Sequence, residues 1–295
     1  MNIPAYPEFR PLEIGDLGEF NQAFKSHPPE ISEFTFTNLY AWRETYQFRV
    51  SILNGLMILR SESKGKTRFF NPIGGGDINA AIERVLDDTA GIFIRLPEAT
   101  GSLFQHDPHF KIELDRDNSD YLYKMSDLVN LLGKKYDGKR NLIKKFKSTQ
   151  KYEYVKLGPE NCRECFEFME EWCTIKDCDG VEGLNDERRA IRQMVENFSL
   201  FELLAGAIRV GGKIRAVAIG QRLNAATLVM DILKADPNIP GLYQAIQNEF
   251  LSREGGNFEF ANLEQDLGID GLRKSKLSYH PFKIIQKFTL ANTPA

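Results

Sequence analysis

Asp231 stands in the run Leu228-Val229-Met230-Asp231-Ile232-Leu233-Lys234, where a carboxylate without a partner would lose its hydration and gain nothing in return. Such a group either has a partner or does chemistry. A buried carboxylate can orient or deprotonate an attacking amine or hydroxyl, and a lysine can steady negative charge growing on a carbonyl oxygen. Asp231 and Lys234 are therefore candidate catalytic residues. On an ideal strand, positions three apart face opposite sides, so only a bulge or a twisted strand end would bring the two together. A structural ion pair in the interior is the competing reading.

A second concentration of polar groups is Asn262-Leu263-Glu264-Gln265-Asp266-Leu267-Gly268-Ile269-Asp270-Gly271-Leu272-Arg273-Lys274-Ser275-Lys276. Phe258-Glu259-Phe260 before it alternates as a half-buried strand and Phe282 to Leu290 after it reads as another, which puts the segment at a strand end, where α/β sheets bind ligands. Gly268 and Gly271 let the chain turn tightly, so Glu264, Asp266, Arg273 and Lys276 are expected to converge. Asn262, Glu264 and Arg273 are candidate substrate-binding residues. The same composition also describes a charged surface turn.

Residues 134 to 151 form the most basic stretch. Arg140, Lys144, Lys147 and Lys151 fall at helical offsets, while Leu142 and Phe146 fall on another face. One side is a positive stripe suited to the phosphates of tRNA or of anionic lipid, with Arg140, Lys144 and Lys147 as candidate contacts. A solvated connecting helix has the same pattern. Cys162 and Cys165 have the gap of a thiolate metal site. With Met169 and Cys173 they instead follow helical spacing beside Phe166 and Trp172, which describes a core face; Cys178 adds no second pair, and no metal is expected. His27, His106, His109 and His280 show no metal spacing and accompany no serine motif.

The elements that must position these groups alternate between helix and strand. Helical spacing is present in Asp16 to Ser26 and Phe34 to Tyr46; a hairpin turns at Asn54-Gly55; and Asn71 to Asp77 leads into a helix over 78–88, with Asp77 as its cap. The glycines there could also aim amides at a phosphate, a weak signal on its own. In the second half, helices over 161–176 and 186–198 precede an antiparallel meander of 201–210, 215–223 and 227–234, and then a Pro-Gly turn into a helix over 242–253. Two strand, turn, helix units at similar places suggest duplication.

The chain has 295 residues, 42% hydrophobic and 27% charged, with a net charge of -3. That composition describes a folded protein rather than a disordered one, and argues against an all-over coat for nucleic acid. Length alone favours two domains. The N-terminus lacks a secretory pattern, no stretch is long and apolar enough to span a bilayer, and four cysteines make no disulfide framework, which together predict a cytoplasmic protein.

Gly271-Leu272-Arg273-Lys274-Ser275-Lys276 followed by His280-Pro281-Phe282, and Met230-Asp231-Ile232-Leu233-Lys234 with Pro240-Gly241 beyond, resemble motifs of the phosphatidylglycerol lysyltransferase C-terminal domain. The resemblance implies an α/β fold with mixed sheets, built as two tandem GNAT-like domains related to the Fem aminoacyltransferases: an N-terminal one over 1–130, the basic connecting helix over 131–151, and a C-terminal one over 152–295 holding the active site. It implies transfer of an aminoacyl group from charged tRNA to an amine or hydroxyl acceptor, with no tightly bound cofactor. Asp231 would handle the nucleophile, and Lys276 would hold the tRNA end or the oxyanion. Lys234 replaces the family's arginine and loses its bidentate geometry. The basic helix would meet tRNA, and peripheral contact with a membrane is compatible with the same charge. A CoA-dependent N-acyltransferase is the alternative, weakened by the lack of a glycine-rich pyrophosphate loop, and a non-catalytic tRNA- or peptide-binding module is another.

Overall fold

A computed structural model describes residues 3–63, 65–176 and 183–293. Its strands are β1 (Arg10–Pro11), β2 (Arg49–Leu53), β3 (Leu56–Ser63), β4 (Lys66–Phe70), β5 (Ile92–Pro97), β6 (Phe110–Leu114), β7 (Asp120–Lys124), β8 (Tyr152–Leu157), β9 (Leu204–Val210), β10 (Lys213–Arg222), β11 (Thr227–Ala235), β12 (Phe260–Asn262), β13 (Lys283–Ile285) and β14 (Lys287–Asn292). They form two seven-stranded mixed sheets, β1-β2-β3-β4-β5-β14-β6 and β13-β7-β12-β11-β10-β9-β8. The chain divides into a first unit of Met1–Tyr121, Gln265–Lys274 and Ile284–Ala295 and a second of Leu122–Glu264 and Ser275–Lys283. These units differ from a linear division at residues 130 and 152. The cause is pairing: β7 is hydrogen-bonded into the second sheet, and β14 lies between β5 and β6 in the first.

In the first unit, Asn54 and Gly55 both take positive φ, 50° and 82°, the geometry that joins β2 to β3 in a tight hairpin. Asp77 accepts a hydrogen bond from the Ala80 amide at 3.0 Å and starts the Ile78–Asp88 helix, so the glycines before it lead into a capped helix. That helix buries Ala81, Ile82, Val85 and Leu86 against Phe69, Phe93, Leu96 and Leu290, and carries the chain from β4 to a parallel β5. A charged knot lies in this interior. Lys287 and Asp120 are both fully buried, with Nζ 2.6 Å from Asp120 Oδ1 and 2.5 Å from Glu33 Oε2. Ser32 donates its amide to Asp120 Oδ2 at 2.7 Å and its hydroxyl to Oδ1 at 2.9 Å. Arg95 extends the network to Glu33 and Asp115.

The second unit repeats the pattern. β9, β10 and β11 are an antiparallel meander whose first turn places Gly211 and Gly212 at positive φ. The Leu242–Glu254 helix follows Pro240-Gly241 and leads to β12, which runs parallel to β11. At Gly241, φ is 83° and a β-carbon would run into the Leu142 carbonyl, so the Asp137–Thr149 helix sits directly against this turn. The stretch expected as one strand from Phe282 to Leu290 is two. β13 edges the second sheet and β14 enters the first, because alternating apolar residues fit either partner and Gln286 falls between them.

Lys287→Met would leave Asp120 buried without its counter-ion. Unfolding in urea should show a loss of about 3–5 kcal/mol with an unchanged denaturant slope.

Candidate active site at the end of a parallel strand pair

The register of β10 and β11 contains one irregularity. Ile219 pairs with Ile232 and Gln221 with Val229, so Gly220 alone opposes both Met230 and Asp231. This is a β-bulge on β11. It closes tightly, since a β-carbon on Gly220 would lie 2.5 Å from the Val229 carbonyl oxygen. Val217, Ile219 and Gln221 share one face of β10 and pair with Lys234, Ile232 and Val229. Gln221 Nε2 donates to both Asp231 oxygens at 3.0 Å, which puts the carboxylate on the same face as Lys234.

Asp231 and Lys234 nevertheless form no ion pair with each other among the described residues. Lys234 Nζ is 2.7 Å from Glu187 Oε2, on the Leu184–Glu196 helix, and 4.2 Å from the ring centre of Trp172, on the Glu164–Lys176 helix. Trp172 is itself pinned, its indole donating to the Ala235 carbonyl at 3.1 Å. The Asp231 carboxyl therefore faces a neutral amide. Burial pushes it up to about 7, against the opposing pull of the Gln221 amide and its own backbone N–H. A carboxyl at that value can both hold and release a proton near neutrality.

The strand beyond β11 completes the site. β12 pairs with β11 only from Thr227↔Phe260 to Val229↔Asn262 and stops there, one residue before the bulge. The edge of β11 from Met230 to Ala235 has no partner strand on that side among the described residues. Buried Asn262 accepts a hydrogen bond from the Glu264 amide at 2.8 Å, and Glu264 turns with φ of 57°. Lys276 donates to the carbonyls of Leu263 and Glu264, and Tyr123 holds the Lys276 carbonyl at 2.8 Å. Asn262, Glu264 and Lys276 thus shape the chain as it leaves β12, at the same end of the parallel pair as Asp231.

Other candidates are spent elsewhere. Arg273 grips Asp266 through two nitrogens, at 3.0 and 2.9 Å, and Asp117 at 2.6 Å. Burial opposes ionisation of Asp266, but Arg273, Tyr121 and the Gly268 amide hold its carboxyl well below the usual range. The expected convergence is therefore split: Asp266 and Arg273 belong to the first unit, Glu264 and Lys276 to the second. On the basic helix, Arg140 donates to Asp137 and to the carbonyls of Leu131 and Gly133, and Lys147 binds Glu249 at 2.6 Å. Lys144 is exposed. Cys162, Cys165 and Cys173 are buried with Phe168, Met169 and Trp172; Cys178 lies outside the described residues. His280 packs edge-on against Tyr136. Gln221 and Glu187 are not among the candidates read from sequence, and Trp172 is read there only as part of a core face, although a glutamine after Ala216-Val217-Ala218-Ile219-Gly220 is a polar residue in an apolar run.

Residues 24–291 match the model of the family described as phosphatidylglycerol lysyltransferase, C-terminal. The chain belongs to that family. A conserved protein of unknown function from Bacteroides thetaiotaomicron is 30% identical, with a TM-score of 0.90 over 97% of this chain and 99% of that one. L-PGS from Bacillus licheniformis superposes with a TM-score of 0.66 at 14% identity, over 100% and 95% of the two chains. FemX does so with 0.60 at 9%, over 96% of each. An uncharacterised protein of Mycoplasmoides gallisepticum is 25% identical over 185 residues, 61% of this chain and only 58% of that protein's length. The fold is α/β with mixed sheets in tandem GNAT-like, Fem-like form. Among the described residues, no helix is long and apolar enough to cross a membrane.

Because the folded-state carboxyl of Asp231 is raised, folding takes up a proton between 3.8 and about 7. Its contribution to stability is complete below the lower value and lost as pH rises to the upper one. Asp231→Asn keeps an acceptor for Gln221 and removes the titration. Its stability relative to the parent should climb across that window by at most about 1.4 kcal/mol per pH unit, then level off. Urea unfolding over a pH series checks this; a difference that does not vary with pH rules out the raised carboxyl.

Proposed function

We propose that this chain is an aminoacyltransferase that takes an aminoacyl group from charged tRNA and passes it to an amine or hydroxyl acceptor. The observation that carries the reading is the Asp231 carboxyl, raised to about 7 and set by a bulge beside an unpaired strand edge. Backbone groups on that edge can hydrogen-bond an extended substrate and hold its ester carbonyl in line. The acceptor nitrogen or oxygen attacks that carbonyl while Asp231 receives its proton. The tetrahedral intermediate then collapses, the ester C–O bond breaks, and the tRNA hydroxyl leaves with a proton that Asp231 can return.

Lys234 adds positive charge on the face where the oxyanion develops, tempered by Glu187. Lys276 acts in this reading as a positioning residue, because its ammonium is held by the Leu263 and Glu264 carbonyls.

Single-turnover assays with labelled aminoacyl-tRNA and a panel of amine and hydroxyl acceptors test the proposal. Asp231→Asn should slow transfer about 100-fold or more, and the parent rate should rise with pH through about 7, where the carboxyl ionises. Turnover from acyl-CoA but not from charged tRNA would replace the donor. An Asp231→Asn variant as fast as the parent would remove the base.

A further inference from the structure

β6 ends the first sheet. It pairs with β14 from Leu114↔Phe288 to Phe110↔Asn292 and has no strand on its other side among the described residues. Two hydrogen bonds fix which backbone groups that leaves over. Just after β6 the Asp115 amide donates to the Lys287 carbonyl at 2.7 Å, and just before it the His109 carbonyl accepts from the Thr293 amide at 2.9 Å. In an antiparallel ladder, successive residues turn their N–H and C=O to alternate sides. Lys111 and Glu113 therefore serve β14, while Phe110, Ile112 and Leu114 turn theirs outward. Phe110 spends its amide on the Asp107 carbonyl at 3.2 Å, which leaves its carbonyl and both groups of Ile112 and Leu114 along the edge.

This edge complements itself. Set Phe110-Lys111-Ile112-Glu113-Leu114 against a second copy running the opposite way, about a twofold axis through Ile112. Lys111 then faces Glu113, Phe110 faces Leu114, and Ile112 faces itself. The same axis brings the outward groups into phase: the two Ile112 residues exchange N–H···O bonds, and each Leu114 amide meets a Phe110 carbonyl. An axis through Lys111 or Glu113 would keep the bonds in phase but set lysine on lysine or glutamate on glutamate, so charge selects Ile112. The side chains suit this register. Lys111 and Glu113, 2.8 Å apart, are each 60% exposed on one face of the strand, within reach of a copy. On the other face Ile112 is held beneath the Glu98–Leu103 helix, where a β-carbon on Gly101 would lie 3.1 Å from it, and Phe110 packs edge-on against Phe104. Leu114 is 47% exposed, and the Phe110 of a copy would cover it. The opposite edge of the sheet offers no such ladder, since β1 is two residues long and ends in Pro11.

We propose that the first unit pairs with a second copy of this chain through β6, antiparallel about Ile112, so that one sheet continues into the other. The proposal is independent of the transfer reaction at Asp231. Sedimentation equilibrium of the full chain at low salt, from about 1 to about 500 μM, tests it. The parent should pass from monomer to dimer and stop there, because a twofold contact uses up the edge that makes it. Lys111→Glu or Glu113→Lys alone turns both symmetric contacts into like-charge pairs and should weaken association about tenfold. The two together restore opposite charges and should recover the parent's affinity. Ile112→Pro removes the central amide, which gives nothing to β14, and should abolish the dimer. Circular-dichroism melts check that each variant folds, and the charge reversals, at exposed positions, carry the test even where Ile112→Pro does not. A monomer at every concentration, growth beyond the dimer, single reversals that leave association unchanged, or a double reversal as weak as the single ones overturns the proposal.

Discussion

The placement of Asp231 depends on a missing side chain. Gly220 has room to face two residues of β11 only because it carries no β-carbon, the Val229 carbonyl filling the space where one would sit. The extra residue rotates the strand by one position, and the carboxylate that ideal alternation would place opposite Lys234 joins its face. There it meets Gln221, a neutral donor that satisfies its oxygens without fixing its charge. A lysine or arginine at that distance would have held the carboxyl ionised. The bulge thus sets both where the group points and how readily it takes a proton.

The other charges are disposed in the opposite way. Asp266 is ringed by Arg273, Arg116 and Tyr121, and Lys287 by Asp120 and Glu33. In these knots each ion is neutralised by opposite charge, which suits a structural role because breaking one leaves a buried charge exposed to no water. Neutralisation also explains why the basic helix offers less positive charge than its composition suggests. Arg140 serves its own N-terminal turn and Lys147 the buried Glu249 of the neighbouring helix.

Local features were readable in the chain. The Asn54-Gly55 hairpin, the Asp77 cap, the apolar stripe of Leu242, Ile246 and Phe250, and the meander through Gly211-Gly212 all follow from periods and turn chemistry that act over a few residues. Asp231 was readable as an anomaly in an apolar strand, and strand geometry gave a bulge or a twisted strand end as the condition for it to meet Lys234, a pair that does not form. Its partner was not. Gln221 is ten residues away on a strand whose register shifts, and pairing register is decided by two strands together. Likewise, Lys234 with Glu187, Lys147 with Glu249 and Arg273 with Asp117 are partners that composition cannot assign. The splitting of the last stretch into β13 and β14 is another long-range decision.

The two units share an architecture and differ at one strand. In each unit an antiparallel run of three strands feeds a helix and then a parallel strand: β2, β3, β4 and β5 in the first, β9, β10, β11 and β12 in the second. β4 is the counterpart of β11, and its pairing with β3 is regular from Arg60↔Phe69 to Ser63↔Lys66. Its parallel pairing with β5 runs to its last residue, Phe70, and Phe69 and Phe93 pack with ring centres 5.5 Å apart. No register shift interrupts that pairing, and β4 carries no carboxylate. The first unit is therefore the regular version of the motif and the second the version interrupted by a bulge that carries a carboxylate, the acid on which the proposed transfer relies.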